Sequence, residues 1–151
     1  YGRVVGDKYT DYVFNLNQFV DIHGMAVVVI YRDCRDVVAS YLERVRRHWG
    51  RTPVLSAFDA PDKIAQRWLS AVSCVDRYGD RICAIRYEDF VHEPRRELVR
   101  LGRLLGVDPD GFCADLVRTN SVGSYKHRLS GEELSMVMHT AGPRMAELGY
   151  R

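Results

Sequence analysis

The stretch Ala26–Trp49, AVVVIYRDCRDVVASYLERVRRHW, decides how the chain reads. It opens with the β-branched run Val27, Val28, Val29 and Ile30, and no charge falls between Ala26 and Tyr31. Such a run predicts a strand buried on both faces. A helix follows almost at once. Asp33 stands as its N-cap, Asp36 lies in its first turn, and Val37, Val38, Tyr41, Leu42 and Val45 recur at helical spacing. Arg32 and Arg35 sit between the two elements. An arginine at the C-terminal end of a buried strand, facing a helix start, is where open α/β sheets place anionic ligands.

With about 100° of turn per residue, an apolar stripe centred on Val37, Tyr41 and Val45 leaves Ser40 about 100° away, with Asp36, Arg44 and Arg47 on the same side of the helix. Arg32, Ser40 and Arg44 can then converge on one anion, the guanidinium supplying charge and the hydroxyl direction. The competing reading pairs Arg32 and Arg35 with Asp33 and Asp36 and leaves Ser40 facing water.

Working outward, 151 residues with 46% hydrophobic and 28% charged side chains suit one globular domain, expected to span residues 1–151. A formal charge of +2 is too balanced to imply a nucleic-acid partner, and no apolar run is long enough to span a membrane. The 22 basic residues include only three lysines, Lys8, Lys63 and Lys126, an arginine bias that suits carboxylate, phosphate or sulfate recognition. Cys34, Cys74, Cys83 and Cys113 are widely spaced, and the five histidines form no cluster with them, so no metal site is expected. The four cysteines read as mostly buried thiols.

Upstream, residues 3–6 predict a short strand ending at Asp7-Lys8, and Val13 to Ile22 a short helix closed by His23-Gly24. With the strand at 26–31 these form a βαβ unit, which would put Lys8 and Arg32 on one sheet edge. Downstream, Gly and Pro punctuate residues 50–61, expected as a loop over a substrate. A helix runs from Pro61 to Tyr78 with Ile64, Trp68, Ala71, Val72 and Val75 inward, and Gly79 ends it. Residues 81–87 predict a third strand. A helix opened by Glu93-Pro94 carries Leu98, Leu101, Leu104 and Leu105 to Gly106, and Asp108-Pro109 is expected to start another that reaches Val117. The polar stretch 118–126 reads as a loop able to fold over a ligand. From Ser130, with Glu133 completing a capping box, a last helix carries Leu134, Val137, Met138, Ala141, Met145 and Leu148, with a kink expected at Gly142-Pro143.

The stretch IYRDCRDVVASYLERV resembles the 3′-phosphate-binding strand and helix of the sulfotransferases that use 3′-phosphoadenosine 5′-phosphosulfate (PAPS). In that family an arginine and a serine eight residues later hold the ribose 3′-phosphate, and Arg32 and Ser40 stand at that spacing. Cys34 takes a position where many members have proline. Arg44 matches a further 3′-phosphate arginine of the tyrosylprotein branch. Ile85–Phe90, IRYEDF, is similar to the segment whose tyrosine contacts the nucleotide, here Tyr87. Val5-Gly6-Asp7-Lys8 resembles the segment that supplies a lysine near the transferring sulfuryl group. Arg118 and Gly123 fall where cytosolic members carry an arginine-lysine-glycine loop, with Thr119 and Asn120 replacing its lysine and first glycine. The tail from Ser124-Tyr125-Lys126 to Tyr150 is similar to the ends of the tyrosylprotein branch and of related bacterial enzymes.

The resemblance covers nearly the whole chain. It implies an α/β, P-loop NTPase-like sulfotransferase fold, a small parallel sheet flanked by helices, and an enzyme that moves a sulfuryl group from PAPS to a hydroxyl or amine. Lys8 would be catalytic, and Arg32, Ser40, Arg44, Tyr87, Arg118 and Lys126 would bind the donor. The family's proline-x-serine-glycine-threonine loop, which cradles the 5′-phosphosulfate, has no match here and is expected before Tyr1, making the chain the C-terminal portion of its domain. The cytoplasm is the expected location. No general base is assigned, and the acceptor, whether small molecule, glycan or protein, is not written in the sequence, nor is the oligomeric state. The alternative is a non-catalytic nucleotide-binding or interaction remnant of the same fold. A nucleoside-phosphate kinase would need a glycine-rich lysine loop and a magnesium-binding acid, neither of which is visible.

Overall fold

The structure, a computed structural model, describes residues 4–49, 58–119 and 121–151. The described part is mostly helical, with one two-stranded parallel sheet. The chain divides into two compact units, Tyr1–Tyr31 with Ala71–Arg118, and Arg32–Ser70 with Thr119–Arg151. The expected loop at 50–61 falls largely on residues 50–57, outside the described residues.

In the first unit β1 (Val28–Tyr31) pairs in parallel with β2 (Cys83–Arg86), Val28 opposite Cys83 and Tyr31 opposite Arg86. The Cys83 N–H donates to the Val27 carbonyl over 2.8 Å. β2 follows the two-residue period of a strand, with Cys83 and Ile85 buried and Ala84 and Arg86 half-buried. β1 departs from the expected double burial. Val28, Val29 and Tyr31 are half-buried and Ile30 is 57% exposed, because a two-stranded sheet covers much less of a strand than a larger one would. The strand expected at 3–6 is also not formed among the described residues: residues 4–9 are irregular and exposed. Two valines beside Gly6 bury too little to hold a strand. Lys8 therefore does not end a strand, and no βαβ unit sets it on an edge with Arg32.

The helix expected over Val13–Ile22 is a 3₁₀ helix at Thr10–Gln18, broken by non-helical torsions at Asn15. Asparagine is a weak helix former, so Asn15 and Asn17 favour a break, and Leu16 alone in this element is fully buried. α2 (Pro61–Tyr78) matches its expected bounds, with Ile64, Ala65, Trp68 and Val72 buried at helical spacing. α3 (Tyr87–His92) continues directly from β2, and α4 (Pro94–Leu105) begins with proline at its first turn. Leu98 is buried as expected but Leu104 is exposed. A side chain on Gly102 would meet the Pro109 Cβ and the Val107 carbonyl at 3.1 Å, so glycine permits the chain to fold back tightly on α4. The helix expected from Asp108 to Val117 is only two 3₁₀ turns, Pro109–Gly111 and Ala114–Leu116. The Asp108 carboxylate accepts from the Asp110 N–H at 3.0 Å, a turn geometry, and Leu116 offers no buried anchor.

In the second unit α1 (Cys34–Arg44) runs into a π-helical turn, Val45–Trp49. Its buried apolar face is Cys34, Val38, Ala39 and Leu42, one position on from the expected stripe of Val37, Tyr41 and Val45, or about 100° round the helix. α5 (Gly131–Glu147) has the expected capping box. Ser130 Oγ accepts from the Glu133 N–H at 3.2 Å, and the Glu133 carboxylate accepts from the Ser130 N–H at 2.8 Å. Val137, Ala141 and Met145 are buried while Met138, expected inward, is exposed. The helix continues through Pro143.

Candidate anion-binding site

The site is built where the chain leaves β1 for α1. Asp33 caps the helix, its carboxylate accepting from the Arg35 N–H at 2.8 Å. The preceding carbonyl, that of Arg32, accepts from the Trp68 indole N–H at 2.8 Å, which fixes the backbone at the turn from a buried ring of α2. The Arg32 side chain is 20% exposed. Its Nη2 lies 3.1 Å from Asp36 Oδ2 and donates to the Ser121 carbonyl.

Asp36 is the residue whose role the sequence reading missed. It lies off the apolar stripe, as the helical phase requires, yet its exposure is 0%, and residues 123–125 close on it with three donors. Its Oδ2 accepts from the Gly123 N–H at 2.8 Å, and its Oδ1 accepts from the Ser124 hydroxyl at 3.0 Å and the Tyr125 N–H at 2.9 Å. Gly123 adopts φ 73°, a left-handed torsion that a glycine takes without strain, and after it the Ser124 hydroxyl and the Tyr125 N–H reach the same carboxylate. An acid at four residues from Arg32, on the polar side of α1, was the available signal. Its partners could not be found, since they stand almost ninety residues later.

Arg35 has a different job. It pairs with Asp33 through Nε at 3.0 Å and Nη2 at 2.7 Å, donates to the Arg151 carbonyl at 2.7 Å, and its guanidinium lies 4.4 Å from the centre of the Tyr125 ring. The Asp33 hydrogen bonds hold the Arg35 guanidinium above its ordinary pKa. Both ion pairs of the competing reading are therefore present. They divide the arginines: Arg35 is built into the structure, whereas Arg32 is oriented by its carboxylate and remains in part accessible.

Ser40 and Arg44 stand one turn apart on α1, Ser40 half-buried and Arg44 exposed. Lys126 is exposed in the 3₁₀ turn Ser124–His127. Nearby on α1, Glu43 pairs with Arg47 at 2.9 Å and Arg128 at 2.8 Å, and Arg46 pairs with Glu133. The second unit thus holds Arg32, Ser40, Arg44 and Lys126. Lys8, Tyr87 and Arg118 belong to the first. Lys8 and Arg118 are exposed, and Tyr87 is the half-buried first residue of α3. Beside Lys8 the Asp7 carboxylate accepts from Tyr12 Oη at 2.6 Å, a bond that holds Asp7 below the usual carboxylate range.

Among the described residues no cluster of three or more His, Cys, Asp or Glu side chains is arranged to hold a metal ion. No described helix is long and apolar enough to cross a membrane. Comparison with protein-family models gave no match, and neither did comparison with curated proteins or with solved structures.

Proposed function

We propose that the chain is part of a sulfotransferase that uses PAPS, and that Arg32, Ser40 and Arg44 hold the donor's 3′-phosphate. The observation that carries this reading is the state of Arg32. Its guanidinium follows directly on a parallel strand, is aimed by Asp36 and the Ser121 carbonyl, and keeps 20% of its side chain exposed. An arginine aimed in advance loses little freedom when it meets an anion, so more of each charge-assisted hydrogen bond appears as affinity. The Ser40 hydroxyl and Arg44, on consecutive turns of the same helix, supply a second direction and a second charge.

Bound there, PAPS supplies the activated sulfuryl group, and the acceptor is a hydroxyl or amine of unspecified class. Arg32, Ser40 and Arg44 then act by orientation, holding the far end of the donor so that the reacting end is in line. Following the resemblance, Lys8 stabilises the negative charge that builds on the departing oxygen, a task for a positioned cation. Its exposure leaves it accessible to a ligand. By the same resemblance Tyr87, Arg118 and Lys126 are residues of the nucleotide-binding kind. A second reading retains nucleotide binding without transfer, favoured by the irregular, exposed backbone around Lys8, which fixes that lysine poorly.

Calorimetry with adenosine 3′,5′-bisphosphate and with ATP and magnesium tests the donor. The bisphosphate is expected to bind more tightly, because ATP offers no 3′-phosphate, and Ser40→Ala is expected to weaken it by about 0.5–1.5 kcal/mol. Equal affinity for ATP would contradict the assignment. Transfer of sulfate from PAPS to a panel of phenols, alcohols, sugars and amines separates the enzyme from the binding remnant.

A further inference from the structure

We infer that Asp36 is a positioning residue that couples anion binding at Arg32 to closure of the Ser121–Tyr125 segment, an inference that rests on the 3′-phosphate reading above. A carboxylate with no exposed surface is costly unless its charge is met by donors. Here Arg32 meets it from one side, and the Gly123 N–H, Ser124 hydroxyl and Tyr125 N–H meet it from the other. The segment also accepts directly from Arg32 through the Ser121 carbonyl. Each party therefore holds the other two. If the segment lifts, Asp36 is opened to water and Arg32 loses a carbonyl that sets its direction.

The structure holds the three in a closed arrangement, which presents the guanidinium already aimed, and the open one is that in which the segment has left Asp36. Because Asp36 is met by three donors of the segment, its charge is better screened from an arriving phosphate when the segment is closed. Closure and anion binding thus favour each other. Linkage makes the effect reciprocal: the factor by which closure raises affinity is the factor by which the ligand favours closure.

Hydrogen exchange of the Gly123 and Tyr125 amides, which donate to Asp36, reads closure directly, and calorimetry with adenosine 3′,5′-bisphosphate reads binding. In the unaltered protein, saturating bisphosphate is expected to slow exchange at both amides by about fivefold or more, the lower end of ordinary coupling. Asp36→Asn is expected to speed both amides and to weaken bisphosphate binding about tenfold in the folded protein, the scale of a charged hydrogen bond. Ser124→Ala keeps the carboxylate and is expected to shift both readouts by about threefold, which serves if Asp36→Asn does not fold. A purely structural Asp36 would give faster exchange with unchanged affinity, and exchange indifferent to ligand, which overturns the coupling alone. If the unaltered protein binds no bisphosphate, the 3′-phosphate reading fails and the coupling falls with it.

Discussion

The indole N–H of Trp68 donates to the carbonyl of Arg32 over 2.8 Å. One buried ring of α2 thereby satisfies the backbone group that precedes the α1 cap. Trp68→Phe keeps most of the ring volume and strands that carbonyl. Chemical denaturation is expected to show a loss of about 1–3 kcal/mol, the cost of a buried group left without its bond. A loss within error would mean that another donor replaces the indole.

Arg35 and Asp33 form a pair in which both side chains are about nine-tenths buried. Removing one partner leaves a buried charge, so Arg35→Ala is expected to cost about 3–5 kcal/mol. Adding Asp33→Ala should then cost less than the same change made alone. Denaturation of the two single variants and the double variant measures this, and strictly additive losses would show that the two groups act independently.

Glu133 links the α5 capping box to Arg46. Burial pushes its carboxyl up, but the Ser130 N–H, the Arg46 charge and their hydrogen bonds together outweigh burial and hold it below its ordinary value of 4.5. With the folded value depressed, the stabilisation is complete above the unfolded pKa and is lost as pH falls through the folded one. Unfolding midpoints taken from pH 6 down to about pH 3 should therefore fall more steeply for the native protein than for Glu133→Gln. Parallel curves would contradict the assignment.

Cys34 and Cys83 are buried, Cys74 is partly covered and Cys113 is exposed. Burial, with the Asp33 charge beside it, pushes the Cys34 thiol far above the ordinary range. A thiol reagent under native conditions should label Cys113 first, and Cys34 only on unfolding. Rapid native labelling of Cys34, read by peptide mass, would show that α1 opens locally.

Much of this was legible because neighbouring residues decide it. Asp33 as cap, the Ser130 and Glu133 box, Pro61 at the start of α2 and Gly79 after its end are local chemistry, and each stands as expected. The face of α1 was harder. Val37 and Val38 are adjacent apolar residues, as are Tyr41 and Leu42, so two stripes fit the sequence and only packing selects Val38 with Leu42. The exposure of Ile30 depends on how many strands flank it, which its own β-branched neighbours do not encode. Of the candidate site, the Arg32, Ser40 and Arg44 spacing could be read directly. The burial of Asp36 could not, because it is made by donors from residues 123–125.

The most direct test of a 3′-phosphate site at Arg32 is calorimetry of adenosine 3′,5′-bisphosphate with the native protein and with Arg32→Ala. Binding to the native protein, weakened in the variant by about 1.5–3 kcal/mol, is the expected result. Equal affinity in the two proteins would contradict the site.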